Sequence, residues 1–390
     1  MRIFCITHDI DGGGAAKSLF LYCREWCKLG CSLTLLSTEP LNPGKNRAKA
    51  YRELGIPVHN LRLPLLPVSY ISAPFNPFKQ FVKAGVFAAN FFRVRQIFQA
   101  VSPDVILYNS YAAMSAGLFL KGPAVVHIRD VIDYRSLFAT MVSRYIRSRV
   151  CGAIAIGDRE AEQARDMGLH AEVIYNFPDT TPLKSPWPEA PPYRVAVVGQ
   201  ITQAKGQAEF VNACIAAKTR LREKKIHVTV YGGEPREAPK GPAAALRLEV
   251  QQAECSDIVD IYGWTDDVEA ALNRSHLLVR PDISGSPWGR DIIEAMSLGR
   301  PVLSTGSRDI FVKPNNGKLV PLEPVETVAG RLVDAMISMA DTTRLQQLGE
   351  NAFHFAHEHF DPAENAKAAL RILQEAAAMR KHTRAPSVEK

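Results

Sequence analysis

Short apolar runs alternate along the chain with segments whose apolar residues recur every three or four positions, so strands alternate with amphipathic helices. Arg2–Thr7 reads as a buried strand, Asp9–Gly14 as a loop, Ala15–Leu29 as a helix stopped by Gly30, and Ser32–Ser37 as the next strand. A helix around Asn46–Leu54 and a strand over Val58–Leu63 continue the pattern. Further strands fall at Asp104–Tyr108, Ala124–Ile128, Cys151–Ile156 and Ala171–Tyr175, with a helix over Arg159–Met167 stopped by Gly168. Thr180–Tyr193 carries Pro182, Pro186, Pro188, Pro191 and Pro192 and has no period, which reads as a linker. A second strand-first series follows: Arg194–Val198, helix Lys205–Arg220, His227–Tyr231, helix Ala243–Ala253, Ile258–Tyr262, helix Asp267–Leu272 and His276–Val279. Helices over Thr327–Met339, Thr343–His357 and Pro362–Met379 close the chain.

Two successive strand–helix series predict an α/β protein of two Rossmann-like domains facing a central cleft. The expected division is 1–180 for the first domain, 181–193 for the linker and 194–361 for the second domain. The polar tail over 381–390 is expected to be disordered. A chain of 390 residues fits that count.

Hydrophobic content of 46% and charged content of 22% are those of an ordinary globular protein. The formal charge of +7 suits an anionic substrate or a membrane surface, and no basic run with interleaved aromatics points to nucleic acid. The first apolar run is short and is followed at once by His8, Asp9 and Asp11, unlike a signal peptide, and no stretch approaches a spanning helix, so a cytoplasmic location is expected. Seven scattered cysteines suggest reduced thiols. Cys23, Cys27 and Cys31 recur every fourth residue; buried small side chains are the expectation, with a metal cluster as the alternative. Residues 64–99 differ from the rest. Pro64–Pro77 is proline-rich, and Phe78–Gln99 reads as a helix with Phe81, Phe87, Phe91 and Phe92 beside Lys79, Lys83, Arg93 and Arg95. Such a segment fits either an anionic membrane surface or a core helix.

The densest candidate chemistry lies between Val279 and Gly306. A strand passes through a loop bearing Pro281, Asp282, Ser284, Gly285, Ser286, Pro287 and Gly289, then enters a helix near Asp291 with an apolar face of Ile292, Ile293, Ala295, Met296 and Leu298. Gly299 stops that helix, and Pro301–Ser304 begins a strand. The helix N-terminus offers unpaired N–H groups to an anion, with phosphate the natural guess. Glu294 lies about 5 Å further along the axis, in reach of a sugar hydroxyl. Gly12, Gly13 and Gly14 let backbone approach a ligand at another helix start, though Lys17 breaks the dinucleotide fingerprint. His127 ends a strand, the edge where ligands sit in open α/β sheets; a structural histidine is the alternative.

Trp288, Gly289, Glu294, Ala295, Met296, Gly299, Pro301 and Val302 resemble the signature E-x-F-G-x-x-x-x-E-A-M-A-x-G-x-P-V of retaining glycosyltransferase family 4, whose fold is termed GT-B. Ser286 stands where the family has its first Glu, and Arg290 and Asp291 take positions usually apolar. Val195–Gly206 is similar to the family's V-G-R-L-x-x-x-K-G, with Lys205 on its Lys and Gln200 in place of its Arg. Tyr231–Pro235 resembles the segment beneath the nucleotide, and Gly263 and Trp264 the loop flanking the base. Asn176–Asp179 resembles the segment that closes the family's first domain, and the resemblance implies a final helix, about 362–379, that returns to that domain.

What the resemblance implies is transfer of a sugar from a nucleotide-sugar donor to a glycan or lipid-linked acceptor, with retention, in surface polysaccharide biosynthesis. His127, Lys205 and Glu294 would carry catalysis. Gly12, Gly13, Gly14, Gly199, Gln200, Lys205, Gly233, Gly263, Trp264, Ser286, Trp288, Gly289, Arg290 and Glu294 would hold the donor. No cofactor is expected, the nucleotide sugar being a substrate, and the lack of a D-x-D motif at a strand end predicts no metal. The membrane contact would run through 64–99, at the inner face. Two other readings are a non-catalytic sugar-nucleotide-binding scaffold, motivated by Ser286 and Gln200, and a nucleotide-sugar 2-epimerase, whose catalytic carboxylates are not apparent.

Overall fold

A computed structural model describes residues 1–39, 47–63, 88, 90, 92–129, 137–234, 240–284, 289–306 and 311–383. The chain divides into two compact units, Met1–Asn176 with Pro362–Lys390, and Phe177–Asp361.

The first unit is built on seven parallel strands: β1 (Arg2–Thr7), β2 (Ser32–Ser37), β3 (Val58–Asn60), β4 (Val105–Tyr108), β5 (Ala124–Ile128), β6 (Gly152–Ala155) and β7 (Ala171–Val173). Their order is β3-β2-β1-β4-β5-β6-β7. The chain therefore winds outward from β1 and then resumes on its other side at β4. β1 and β2 are buried at every position after the first, and β4 and β5 at every position, as parallel strands covered on both faces must be. The last helix, Pro362–Thr383, packs against β4, β5, β6 and helix Gly13–Lys28. The buried Trp26 indole donates to Ala366 O at 2.9 Å, and Asn365 to Tyr175 O at 3.1 Å.

The second unit holds six parallel strands: β8 (Tyr193–Val198), β9 (Ile226–Tyr231), β10 (Val259–Gly263), β11 (Leu277–Arg280), β12 (Val302–Thr305) and β13 (Gly317–Val320). The order β10-β9-β8-β11-β12-β13 repeats the outward winding and the reversal, here between β8 and β11. Each unit is thus Rossmann-like. Loops leaving the two strands at such a reversal diverge and open a crevice at their C-terminal ends.

Several expectations need correction. The helix expected over Lys205–Arg220 is a 3-10 turn, Gln203–Lys205, followed by helices Gln207–Ala216 and Lys218–Glu223. Gly206 makes the first break: its φ is +65°, and a Cβ there would lie 2.2 Å from Pro281 O. The strand expected over Val58–Leu63 ends at Asn60, after which Leu61 and Leu63 bond back to Ser37 and Thr38. Residues 181–193, expected as a linker, lie along the second unit. Ser185 N donates to Leu298 O at 3.3 Å, and the buried Arg300 guanidinium donates to Ser185 O and Pro186 O. Helix Leu137–Arg149 and β13 were not apparent from periodicity. The final helix extends to Thr383; 384–390 lie outside the described residues, as do 64–87 of the basic aromatic segment. A helix spans 92–101, with Phe92, Arg93 and Arg95 exposed. Among the described residues, no helix is long and apolar enough to cross a membrane.

Candidate functional site

In the second unit the reversal between β8 and β11 brings the two sequence motifs together. The loop after β8 and the loop after β11 are tied by Ile283 N donating to Ala204 O at 3.0 Å. Lys205, on the first loop, places its ammonium 2.5 Å from the Asp282 carboxylate on the second. Asp282 is fully buried, whereas the Lys205 side chain keeps 40% of its surface in solvent. Arg280, at the end of β11, holds the same carboxylate oxygen at 2.7 Å, and Ser284 N donates to the other at 2.8 Å. Burial works to raise the Asp282 carboxyl, but Arg280, Lys205 and Ser284 outweigh it and hold it below the usual range. Asp282 thus anchors the lysine, and its carboxylate is committed to two cations rather than free to bond a sugar.

Helix Arg290–Ser297 begins at Gly289. A Cβ on Gly289 would lie 2.2 Å from Asp291 Oδ1, so the glycine leaves room for that carboxylate in the helix's first turn. Arg280 Nε approaches Asp291 at 3.4 Å. Burial pushes the Asp291 carboxyl up, against the pull of Arg280 and Lys205. Glu294, one turn on, accepts from Arg290 at 3.0 Å, and Arg290 also donates to Phe177 O at 3.2 Å. Arg290 and Asp291 take separate and mostly buried partners. Ser286 and Trp288 lie outside the described residues.

Glycines line the neighbouring strand ends. Gly199 follows β8, Gly232 and Gly233 follow β9, and Gly263 ends β10. A Cβ on Gly232 would be 1.7 Å from Gly199 O, and Gly232 N donates to Gly263 O at 2.7 Å. The backbones after β8 and β9 therefore pass at a separation that no side chain on Gly232 permits. Gln200 is exposed beside them, its carbonyl accepting from the buried Gln207 amide at 2.8 Å. Glu234 caps helix Pro242–Gln252 through Ala243 N and Ala244 N. Burial raises its carboxyl, but these donors dominate and lower it. Trp264 is 44% exposed and donates to Asp266 at 3.1 Å.

In the first unit, Asp9 folds the glycine loop: its carboxylate accepts from Asp11 N and Gly12 N, both at 2.7 Å. Gly12 precedes helix Gly13–Lys28, and Gly13 and Gly14 are exposed at its start. Gly13 adopts φ +67° with nothing within 4 Å of a Cβ. Across this sheet's reversal, Asn109 after β4 donates to Thr7 on β1 at 3.2 Å. His127 is 1% exposed. Arg129 Nη2 lies 3.2 Å from His127 Nδ1, and Arg129 Nε donates to Asn109 at 2.9 Å. Burial, reinforced by Arg129, lowers the His127 pKa well below the ordinary value, so the ring is neutral. With Nδ1 accepting, Nε2 carries the proton, and it has no partner among the described residues. Cys23 is buried against Cys5, and the helix ends before Cys31. No group of three His, Cys, Asp or Glu residues among those described is arranged to hold a metal ion.

Arg280 and Arg129 are the main participants that the motifs did not single out. The available signal was an arginine at or just beyond the end of an otherwise apolar strand.

Parallel sheets with a reversal, glycine turns at strand ends and a lysine held there define an α/β protein of the nucleotide-binding class. The family model described as glycosyl transferases group 1 matches residues 192–341, and that of the glycosyl transferase 4-like domain matches 13–178. The chain belongs to the GT-B glycosyltransferases. Sucrose-phosphate synthase from Thermosynechococcus elongatus superposes with a TM-score of 0.72 at 18% identity, covering 97% of this chain and 100% of that one. Anabaena HepE in complex with UDP gives 0.71 at 17%, covering 96% and 100%. The pneumococcal O-GlcNAc transferase GtfA, in complex with UDP and GlcNAc, gives 0.71 at 11%, covering 96% and 99%. At these identities the likeness is one of fold. No curated protein matches the sequence.

Proposed function

We propose that the protein is a retaining, metal-independent hexosyltransferase that takes a nucleotide sugar as donor and a glycan or glycolipid as acceptor, in surface polysaccharide biosynthesis. The observation that carries this reading is Lys205, anchored by buried Asp282 at the β8–β11 reversal with its side chain still partly in solvent. A nucleoside diphosphate is already a good leaving group, and the chemical demand is to stabilise the charge that builds on it as the glycosidic bond breaks. A lysine fixed before the reaction does this without reorganisation. The Gly199, Gly232 and Gly263 turns admit the nucleotide's close approach, and Glu294 exchanges part of its bond to Arg290 for ribose hydroxyls. On the first unit, His127 is the proposed sugar contact, and the Gly12–Gly14 turn supplies N–H groups. Retention follows from front-face attack, a phosphate oxygen taking the acceptor's proton, so no pair of protein carboxylates is required.

Uridine diphosphate sugars are the first donors to test, since HepE and GtfA are each recorded with UDP. In a thermal-shift panel of UDP-, GDP-, ADP- and CMP-sugars, one donor at about a hundred times its dissociation constant adds about 2.7 kcal/mol of stability. Silence across the panel from folded protein overturns the donor-binding reading. The exposed Phe92 beside Arg93 and Arg95 supports attachment to an anionic membrane at the cytoplasmic face.

One observation favours the scaffold reading: Asp291 puts a carboxylate into the helix turn where a donor phosphate would sit. On the enzyme reading this carboxylate opposes donor binding. Asp291→Asn, which keeps the size, therefore tightens donor affinity about three- to tenfold, in the range of a single screened charge contact. Titration calorimetry reads this; weaker or unchanged affinity removes Asp291 from the donor's surroundings.

A further inference from the structure

At the opposite edge of the second sheet, the starts of β8 and β9 and the turn before β10 line an open surface cavity of about 530 Å³, with Arg222 and Lys225 exposed at it. β8 and β9 are each six residues long, so this edge lies about 17 Å along the strands from the glycine turns. Arg194, Arg222, Lys225, His227 and Asp257 line it. Arg222 is committed, forking onto Asp257 at 2.8 and 2.9 Å and donating to Glu254 O. Arg194 gives one guanidinium hydrogen bond, to Glu189 O at 3.3 Å. The Lys225 ammonium has no hydrogen-bond partner among the described residues. Three cations thus face one carboxylate, and the charge left over faces the cavity.

The backbone supplies a second observation. Lys225 sits at φ +52° in the turn from helix Lys218–Glu223 to β9. Helix ends elsewhere in the chain use glycine at positive φ (Gly30, Gly55, Gly168 and Gly299) or, as here, a residue with a side chain (Ser102 and Glu254). A side chain in this conformation is disfavoured relative to glycine, and such residues concentrate at ligand sites.

We propose that this cavity binds a phosphate-bearing small molecule, with the Lys225 ammonium and the Arg194 guanidinium on the phosphate. Its volume falls within the roughly 300–1,000 Å³ of small-molecule sites, leaving room for a body beyond the phosphate.

The test is calorimetric titration of the full chain with inorganic phosphate and, separately, ribose 5-phosphate, at constant ionic strength. Lys225→Gly deletes the ammonium while relaxing the backbone. The expected result is saturable binding that falls about tenfold in Lys225→Gly and Arg194→Ala and persists in Lys205→Ala. Lys225→Gly alone melts higher than the unchanged chain, which separates lost binding from lost folding. Tighter binding of ribose 5-phosphate identifies a phosphorylated metabolite as the ligand; equal binding identifies free phosphate. No saturable binding, binding untouched by Lys225→Gly, or binding abolished by Lys205→Ala overturns the proposal.

Discussion

Replacing Lys205 with alanine is expected to cut sugar transfer by about a hundred- to a thousandfold, the loss seen when one preorganised charge stabiliser is removed from a reacting centre. The geometry makes the variant informative. Lys205 is 40% exposed, so its removal exposes no core, and Asp282 keeps Arg280 at 2.7 Å and Ser284 N at 2.8 Å. The fold should therefore survive with its melting temperature within a few degrees of the parent, because a half-exposed ion pair contributes about 1 kcal/mol or less. Glu294→Ala should weaken donor binding in the same assay through a different part of the donor. Steady-state transfer rates beside melting curves check both; normal turnover by the two variants sinks the site assignment.

Arg300→Ala is expected to carry the largest stability cost, about 3–4 kcal/mol, because it strands several carbonyls at once. Arg300 is fully buried and donates to five of them: Leu272 O and Asn273 O at the end of helix Val268–Asn273, Leu298 O at the end of helix Arg290–Ser297, and Ser185 O and Pro186 O on the proline-rich strap. Helix ends leave such carbonyls without partners of their own, and here one guanidinium collects two helix ends and an irregular segment. The Trp187 ring lies over it, 5.0 Å from the guanidinium carbon to the ring centroid. A melting temperature lower by about 10 °C is the expected readout for a unit of this size. Arg300→Lys should recover only part of it, since a single ammonium cannot span the five acceptors. A melting curve unchanged by Arg300→Ala removes the arginine from this role.

The period of apolar residues disclosed most strands, since buried parallel strands are apolar runs and amphipathic helices repeat every three to four residues. β13 escaped because Gly-Lys-Leu-Val is too short and too mixed to register. The glycine and lysine motifs were legible as motifs, but their meeting was not. Lys205 and Asp282 are 77 residues apart, and only the strand order β10-β9-β8-β11 makes their loops neighbours. Strap residues Ser185 and Pro186 read as linker for the same reason: what orders them is a buried arginine more than a hundred positions away, and local composition carries no trace of it.

The placement of helix Pro362–Thr383 in the first unit bears on the order in which the molecule is completed during synthesis. The strands of that unit leave the ribosome before residues 177–361, yet the helix packed on β4, β5 and β6 is made after them. Residues 177–361 can close their own core while the earlier sheet still waits with the Trp26 indole lacking its acceptor on Ala366. The first unit is therefore finished after the second, and its apolar sheet face is the surface most open to aggregation or chaperone capture in that interval.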